Sequence, residues 1–188
     1  MKTKLRPLFL ALTIIATTSI YAQQKKINTA ESSINWTGKK VTGQHTGTLN
    51  FSSGFLTFDG KNLSGGEFIV DMTSLAVTDL EAGKGKEKLE GHLNSDDFFG
   101  VQNFKNAKLT IKKASKIDGG FKIAGDLTIK GKTNPIAFDL AVNGSTASTT
   151  LKVDRTKYDI KYGSGSFFDN LGDKAISDEF ELAVNLKM

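Results

Sequence analysis

The sequence contains no cysteine among its 188 residues. A thiol nucleophile, a disulfide framework and a cysteine-borne lipid are therefore excluded, and the fold must be held by its core alone. Histidine is almost as scarce. His45 and His92 are the two in the chain, far apart and without the i, i+4 pairing of a metalloprotease helix. With Asp96 or Asp97 they could build a metal site only by long-range convergence, so no metal and no cofactor is expected. A Gly-x-Ser-x-Gly elbow is missing, and the Gly-Lys-Gly-Lys run at 83–86 lacks the spacing of a phosphate loop. Past residue 20 no apolar run is long enough for a membrane-spanning helix.

The chain begins with what reads as an address. Lys2, Lys4 and Arg6 precede an apolar stretch from Leu8 to Ile20, and Ala22 offers a small residue at a cleavage edge. This pattern predicts a secretory signal peptide over residues 1–22 with Gln23 as the mature start, and hence a periplasmic or secreted protein. The leader holds three of the 25 basic residues and none of the 20 acidic ones, so the net charge of +5 belongs mostly to it. The remaining chain is close to neutral, which argues against nucleic-acid binding. No stable membrane insertion is expected once the leader is removed. Residues 23–188 suit a single domain.

Alternation of period two dominates that domain. Ile34 and Trp36, then Leu49 and Phe51, occupy single faces of short strands. Ser52-Ser53-Gly54 reads as a tight reversal into Phe55–Phe58. Phe68, Val70 and Met72 share a face, as do Leu109 and Ile111, Phe121 and Ile123, Leu127 and Ile129, and the series Ile136 to Val142. Tyr158, Ile160 and Tyr162 suggest another strand, and Phe180, Leu182, Val184 and Leu186 form the clearest one. Eight or nine strands with Gly-, Asn- and Asp-bearing turns indicate an all-β, antiparallel barrel of about eight strands. Residues 79–104 depart from this pattern and predict a short helical or irregular crossing, with helical turns around Leu89 and Leu93.

Within the crossing, Gly91–Phe104 brings His92, Ser95, Asp96 and Asp97 directly against Phe98 and Phe99. Burying the two rings would stabilise the fold by about 1.5–3 kcal/mol each. The carboxylates must stay wet or find partners. An aromatic end plugged into the interior and a polar end tied to amides or a cation satisfies both demands. Ser95 and Asp96 suit a helix N-cap or a turn. Gly163–Gly172 repeats the theme with Phe167-Phe168-Asp169, and Asp154-Arg155 before Tyr158-Asp159 reads as a structural charge network.

Three stretches, GHLNSDDFFGVQNF (91–104), GDLTIKGKTNPIAF (125–138) and DRTKYDIKYGSGSFFDNLGDKAISDEFEL (154–182), carry a resemblance. With WTGKKVTGQHTGTL and GGEFIVDMTSL before them, the chain resembles the YceI-like family of bacterial secreted polyisoprenoid-binding proteins from about residue 27 onward. Its DxhLxSxDFF-type segment falls on His92, Leu93, Ser95, Asp97, Phe98 and Phe99, and its Thr-Ile-Lys-Gly-x-Thr hairpin on Thr128–Thr133. Lys105 follows Phe104 where the family usually has proline after the aromatic.

The resemblance implies a lipocalin-like barrel around an elongated pocket for an isoprenoid chain, such as a polyprenyl or quinone tail, and no catalytic machinery. Strand parity then assigns Trp36, Phe51, Phe58, Phe68, Val70 and Met72 to the inward face, with Phe98 and Phe99 closing one end. Two other roles compete: a stress-induced interaction module with a filled core, and an enzyme with a small site near His92 and Asp97. The oligomeric state is left open, a homodimer included.

Overall fold

The computed structural model describes residues 22–188. Apart from Ala22, the expected leader lies outside the described residues. The strands are β1 (Gln23–Lys26), β2 (Ser33–Lys40), β3 (Gly43–Asp59), β4 (Asn62–Val77), β5 (Asn106–Ile117), β6 (Gly120–Ile129), β7 (Lys132–Asn143), β8 (Thr146–Asp154) and β9 (Ile176–Lys187). From β2 to β9 each strand pairs antiparallel with the next, and β9 returns to β2, with Trp36 opposite Leu182. This is a closed eight-stranded up-and-down barrel. The short β1 is additional and lies along the end of β3, Gln23 opposite Phe58. One helix, α1 (Lys86–Asn94), interrupts the meander between β4 and β5. Among the described residues no helix is long and apolar enough to cross a membrane.

Closure follows from patterning. In β6 every second residue, Phe121, Ile123, Gly125, Leu127 and Ile129, is buried, while Lys122 and Ala124 face outward. At about 25 cal/mol per Å² of apolar surface removed from water, such faces hold the sheet closed. Leu56, Ile123, Ile160 and Val77 are the largest apolar side chains completely enclosed.

Two sequence expectations fail here. Ser52-Ser53-Gly54 does not reverse the chain, because β3 runs straight through it for 17 residues. The register against β4 slips between Phe51 and Ser53, a bulge that moves the inward face from Phe51 to Gly54, Leu56 and Phe58. A glycine is required there, since a Cβ on Gly54 would stand 2.4 Å from the Phe68 ring. Tyr158, Ile160 and Tyr162 likewise form no strand. Arg155–Tyr158 is a 3-10 turn capped by Asp154, whose carboxylate accepts from the Thr156 amide at 3.0 Å. That cap stops β8 and throws the chain across the barrel end.

The seam between β7 and β8 is short. Only Ala141–Ser148, Val142–Ala147 and Asn143–Thr146 are in register, next to the hairpin. Beyond them one side chain bridges the strands, the Thr149 hydroxyl donating to the Asp139 carbonyl at 2.7 Å, and the Asn134 amide donates to the Lys157 carbonyl of the 3-10 turn at 2.8 Å. Pro135 lies in the stretch of β7 that lacks a partner on this side.

Candidate functional site

The crossing covers one end of the barrel. Gly83 and Gly85 take left-handed φ values of 74° and 100° to turn the chain into α1. The Glu87 carboxylate accepts from the Gly83 amide, and Glu90 accepts from the Val77 amide at 2.8 Å, tying the helix to the end of β4. No residue of α1 is fully buried, so it rests on the barrel mouth without being part of the core. Ser95 ends the helix instead of starting one: it is the C-cap, with its hydroxyl donating to the His92 carbonyl at 2.7 Å. Asp96 sits in the turn that follows, its carbonyl accepting from Lys130 Nζ at 2.6 Å. Phe104 packs on the β6–β7 turn, where a Cβ on Gly131 would come 2.8 Å from its ring. Lys105, in the place of the family's proline, uses its carbonyl to accept from the Met72 amide at 2.9 Å.

Beneath this cover lie two apolar chambers in line. The one under the crossing has about 130 Å³ and is lined by Trp36, Val70, Met72, Leu93, Phe98 and Phe99 among others. The deeper one has about 80 Å³ and includes Phe51, Phe68, Leu109, Phe138 and Val184. Val70, Ala107, Leu127 and Leu182 border both, forming a waist between them. Of the eight candidate residues, Trp36, Met72, Phe98 and Phe99 thus face the first chamber, Phe51 and Phe68 the second, and Val70 both. Phe58 faces neither. It belongs to the filled floor, edge-on to Phe121 at 6.5 Å and beneath Lys25. Parity placed it inward correctly, but the barrel is solid at that depth.

Aromatic rings join the cover to the wall. Phe98 packs against Phe99 at 6.0 Å, and Phe99 meets Phe180 edge-on at 6.1 Å. His92 sits between Phe98 and Tyr162, edge-on to both at 5.1 and 4.4 Å. Among the described residues no hydrogen bond joins His92 to Asp97. The repeat at Phe167-Phe168 is only an echo: those rings are about half exposed, whereas Phe98 is buried.

His45 and His92, distant in sequence, line one open groove at the mouth with Lys40, Lys88 and Asp97. His45 Nδ1 lies 2.8 Å from Asp79. Burial pushes the Asp79 carboxyl up, but the Thr46 amide and His45 outweigh it and hold it below the ordinary carboxylate value. Among the described residues no three His, Asp or Glu side chains gather closely enough to hold a metal ion.

Two polar side chains are buried in the wall of the first chamber. Arg155, 2% exposed, donates to the carbonyls of Ser177, Ile160 and Ile176 at 2.9, 2.9 and 3.0 Å. Its ion-pair partner is Asp178, at 3.7 Å, while Asp154 serves the 3-10 turn and Asp159 pairs with Lys161. The expected network therefore exists with different members. Desolvation lowers the Arg155 pKa, opposed by Asp178 and Asp154. Its guanidinium also lies 5.6 Å over the Phe98 ring. Trp36 packs on Gly47 of the neighbouring strand, where a Cβ would stand 2.3 Å from the indole. Trp36 is 8% exposed, and among the described residues its Nε1 has no hydrogen-bond partner.

Arg155, Leu127 and Leu182 were absent from the sequence-derived site. Parity alone could have added Leu127 and Leu182, whose strands alternate cleanly. For Arg155 there was no local signal, because its partners come from residues 160 and 176–178.

The chain spans about half the length of the relatives it matches in sequence. A UPF0312 protein of Staphylococcus aureus (strain USA300) is 34% identical over 87 residues, 40% of this chain and 48% of that protein. One from Serratia proteamaculans is 31% identical over 98 residues, 52% and 48% of the two chains. Among solved structures, Burkholderia cenocepacia BcnA superposes with a TM-score of 0.67 at 20% identity, covering 85% of this chain and 98% of that one. A polyisoprenoid binding domain from Saccharophagus degradans gives 0.55 at 12% identity, covering 89% and 99%. These likenesses establish the barrel. The family model for the YceI-like domain matches residues 26–188, nearly all of the described residues, and the chain belongs to the YceI-like family.

Proposed function

We propose that this protein binds an isoprenoid lipid, a polyprenyl or quinone tail, in the two chambers of its barrel, and transports or sequesters it without catalysis. The periplasm or the cell exterior is the proposed location, on the strength of the leader pattern. The observation that carries the reading is the in-line pair of apolar chambers joined at Val70, Ala107, Leu127 and Leu182. An apolar tail gains roughly 0.8 kcal/mol per CH₂ removed from water, so such a wall binds without specific polar contacts. The polyisoprenoid binding domain among the structural neighbours supports the same ligand class.

At about 130 Å³ the first chamber is comparable to a cavity that takes one benzene ring, and at about 80 Å³ the second is smaller. A longer tail requires Met72 and Phe99 to swing and α1 to lift. Met72 has the flexible side chain for this, and α1 has no fully buried residue to hold it down. The small volume also favours a second reading, an interaction module with a filled core.

Mass spectrometry of organic extracts from the native protein separates the two. A co-purifying prenyl chain is expected, and an empty extract supports the filled core. Val70→Phe fills the waist at a cost of about 1–3 kcal/mol for overpacking. It should cut the retained lipid, or shorten it, while the protein stays folded. Unchanged lipid in amount and chain length would place the ligand elsewhere.

A further inference from the structure

We infer that the mouth end of the barrel is a docking face for a phospholipid bilayer, held by the exposed rings of Phe167 and Phe168 and by Val41. The purpose of such a face rests on the isoprenoid reading, because so apolar a ligand travels through a lipid phase. The contact itself needs no ligand, and no segment spans the bilayer.

Apolar exposure is lopsided in this molecule. Among the described residues five large apolar side chains are exposed: Val41, Tyr162, Phe167 and Phe168 at 67, 48, 50 and 51%, and Ile117 at 36%. The first four stand around the mouth, whereas Ile117 ends β5 at the opposite end. The two rings are held on display. Ser164 is completely buried, its carbonyl accepts from the Phe167 and Phe168 amides at 3.2 and 3.0 Å, and the Ser166 hydroxyl donates to Asp178 at 2.5 Å. Val41, in the turn between β2 and β3, is tied to the same loop by its amide, which donates to the Ala175 carbonyl at 3.2 Å. A cluster of exposed apolar groups with a polar rim marks a contact site.

Lysines form that rim. Lys39 and Lys40 flank Val41 with no ion-pair partner among the described residues, and Lys88 lines the open groove beside Tyr162. Lys161 lies 5.1 Å over the Phe167 ring while pairing with Asp159. Asp178 is engaged by Arg155 and Ser166, so Asp97, Asp169 and Asp173 are the carboxylates that oppose these lysines. The rings therefore carry most of the contact, and the lysines favour anionic headgroups, their stems lying with the rings and their ammonium groups among phosphates. A two-fold contact between copies would instead set lysine against lysine.

The first chamber adjoins this face. β2 and β9 lose register where Gly38 lies opposite Phe180 and Lys40 opposite Ile176, so Ser177–Glu179 bulge against Lys39. Gly38, Lys39 and Ser177 line the chamber from within, and Lys39 and Ser177 also line an outer groove with Val41 and Ser166. The bulge alone separates the two spaces, and the rings stand at its outer side.

Vesicles free of isoprenoid test the face apart from the chambers. Vesicles of phosphatidylethanolamine with phosphatidylglycerol should carry the wild type down on co-sedimentation, and added salt should weaken this. Phe167→Ser with Phe168→Ser should weaken binding about ten- to hundredfold, since half of each ring is at stake. Val41→Ser alone should weaken it several-fold, and Ile117→Ser, at the far end, should leave it unchanged. Lys39→Gln with Lys40→Gln should weaken it about tenfold or more, and leave binding to phosphatidylcholine vesicles unchanged. Thermal unfolding and sedimentation velocity of each variant report fold and oligomeric state. Four results would overturn the inference: wild type that stays in the supernatant, a folded double-serine variant that binds as wild type does, an equal loss from Ile117→Ser, or a wild-type dimer that the double-serine variant splits. None of them touches the isoprenoid reading, which the organic extract decides separately.

Discussion

Replacing Arg155 by methionine tests what holds the barrel mouth together. Methionine matches the length of the arginine stem but donates nothing, so three carbonyls on two separate segments lose their common partner. A hydrogen bond to a charged group contributes about 1.5–3 kcal/mol, giving a gross loss of several kcal/mol. The variant is spared the cost of desolvating the guanidinium, which offsets part of that loss. Breaking a buried ion pair from one side nets about 3–5 kcal/mol, and here it also leaves Asp178 without its cation. For a domain of this size 1 kcal/mol moves Tm by about 2–4 °C, so thermal unfolding followed by circular dichroism should show a fall of about 6–20 °C. Hydrogen exchange should localise the effect. The Ile176 amide, which donates to the Gly163 carbonyl at 2.8 Å, should lose protection before the β6 amides do. Arg155→Lys keeps the charge but not the fork, and should recover less than half of the loss. A drop of less than about 3 °C for Arg155→Met, or a lysine variant as stable as wild type, would refute the assignment.

Two further outcomes follow from the packing. Gly47→Ala would put a Cβ 1.9 Å from the Ala76 carbonyl oxygen and 2.3 Å from Trp36, so it should cost at least about 1–3 kcal/mol and shift the emission of the only tryptophan. Unchanged emission and Tm would contradict the close approach. Tyr158 has its pKa raised to about 12, first by burial and then by the nearby charge of Asp154. A raised phenol contributes stability that is complete below its unfolded value near 10 and is lost as pH climbs toward 12. Unfolding midpoints measured between pH 9 and 12 should therefore fall for wild type and fall less for Tyr158→Phe.

The barrel was legible in the sequence because its strands alternate, and an alternating strand needs a wet face and a dry one. Parity put Trp36, Phe68 and Met72 inward without any knowledge of their neighbours. It could not see the bulge at Phe51–Ser53, where one extra residue exchanges the two faces, so Ser-Ser-Gly looked like a turn. Nor could it say how far down the barrel is filled, and Phe58 shows that depth is a property of opposing strands, here of Phe121 on β6. Arg155 was beyond reach for a similar reason. Its meaning lies in carbonyls that arrive from residues 160, 176 and 177, and a backbone carbonyl leaves no mark in a sequence. Phe98-Phe99 and Phe167-Phe168 look alike as letters, yet only the first pair belongs to the crossing and lines the chamber under it.

The short seam between β7 and β8 has a consequence for how copies of this protein behave toward one another. A strand with an unused edge is a template on which another chain can add, the usual starting point for aggregation of β proteins. From Lys132 to Leu140, β7 is such an edge. Pro135 stands in the middle of it, unable to donate to any ladder, and proline in a sheet is tolerated mainly at edges. Thr149 spans the gap with its hydroxyl, occupying the Asp139 carbonyl that a foreign strand would need, and Asn134 ties the edge to the Lys157 carbonyl of the 3-10 turn. The one proline of the barrel domain thus guards a place where the barrel could be mistaken for an open sheet.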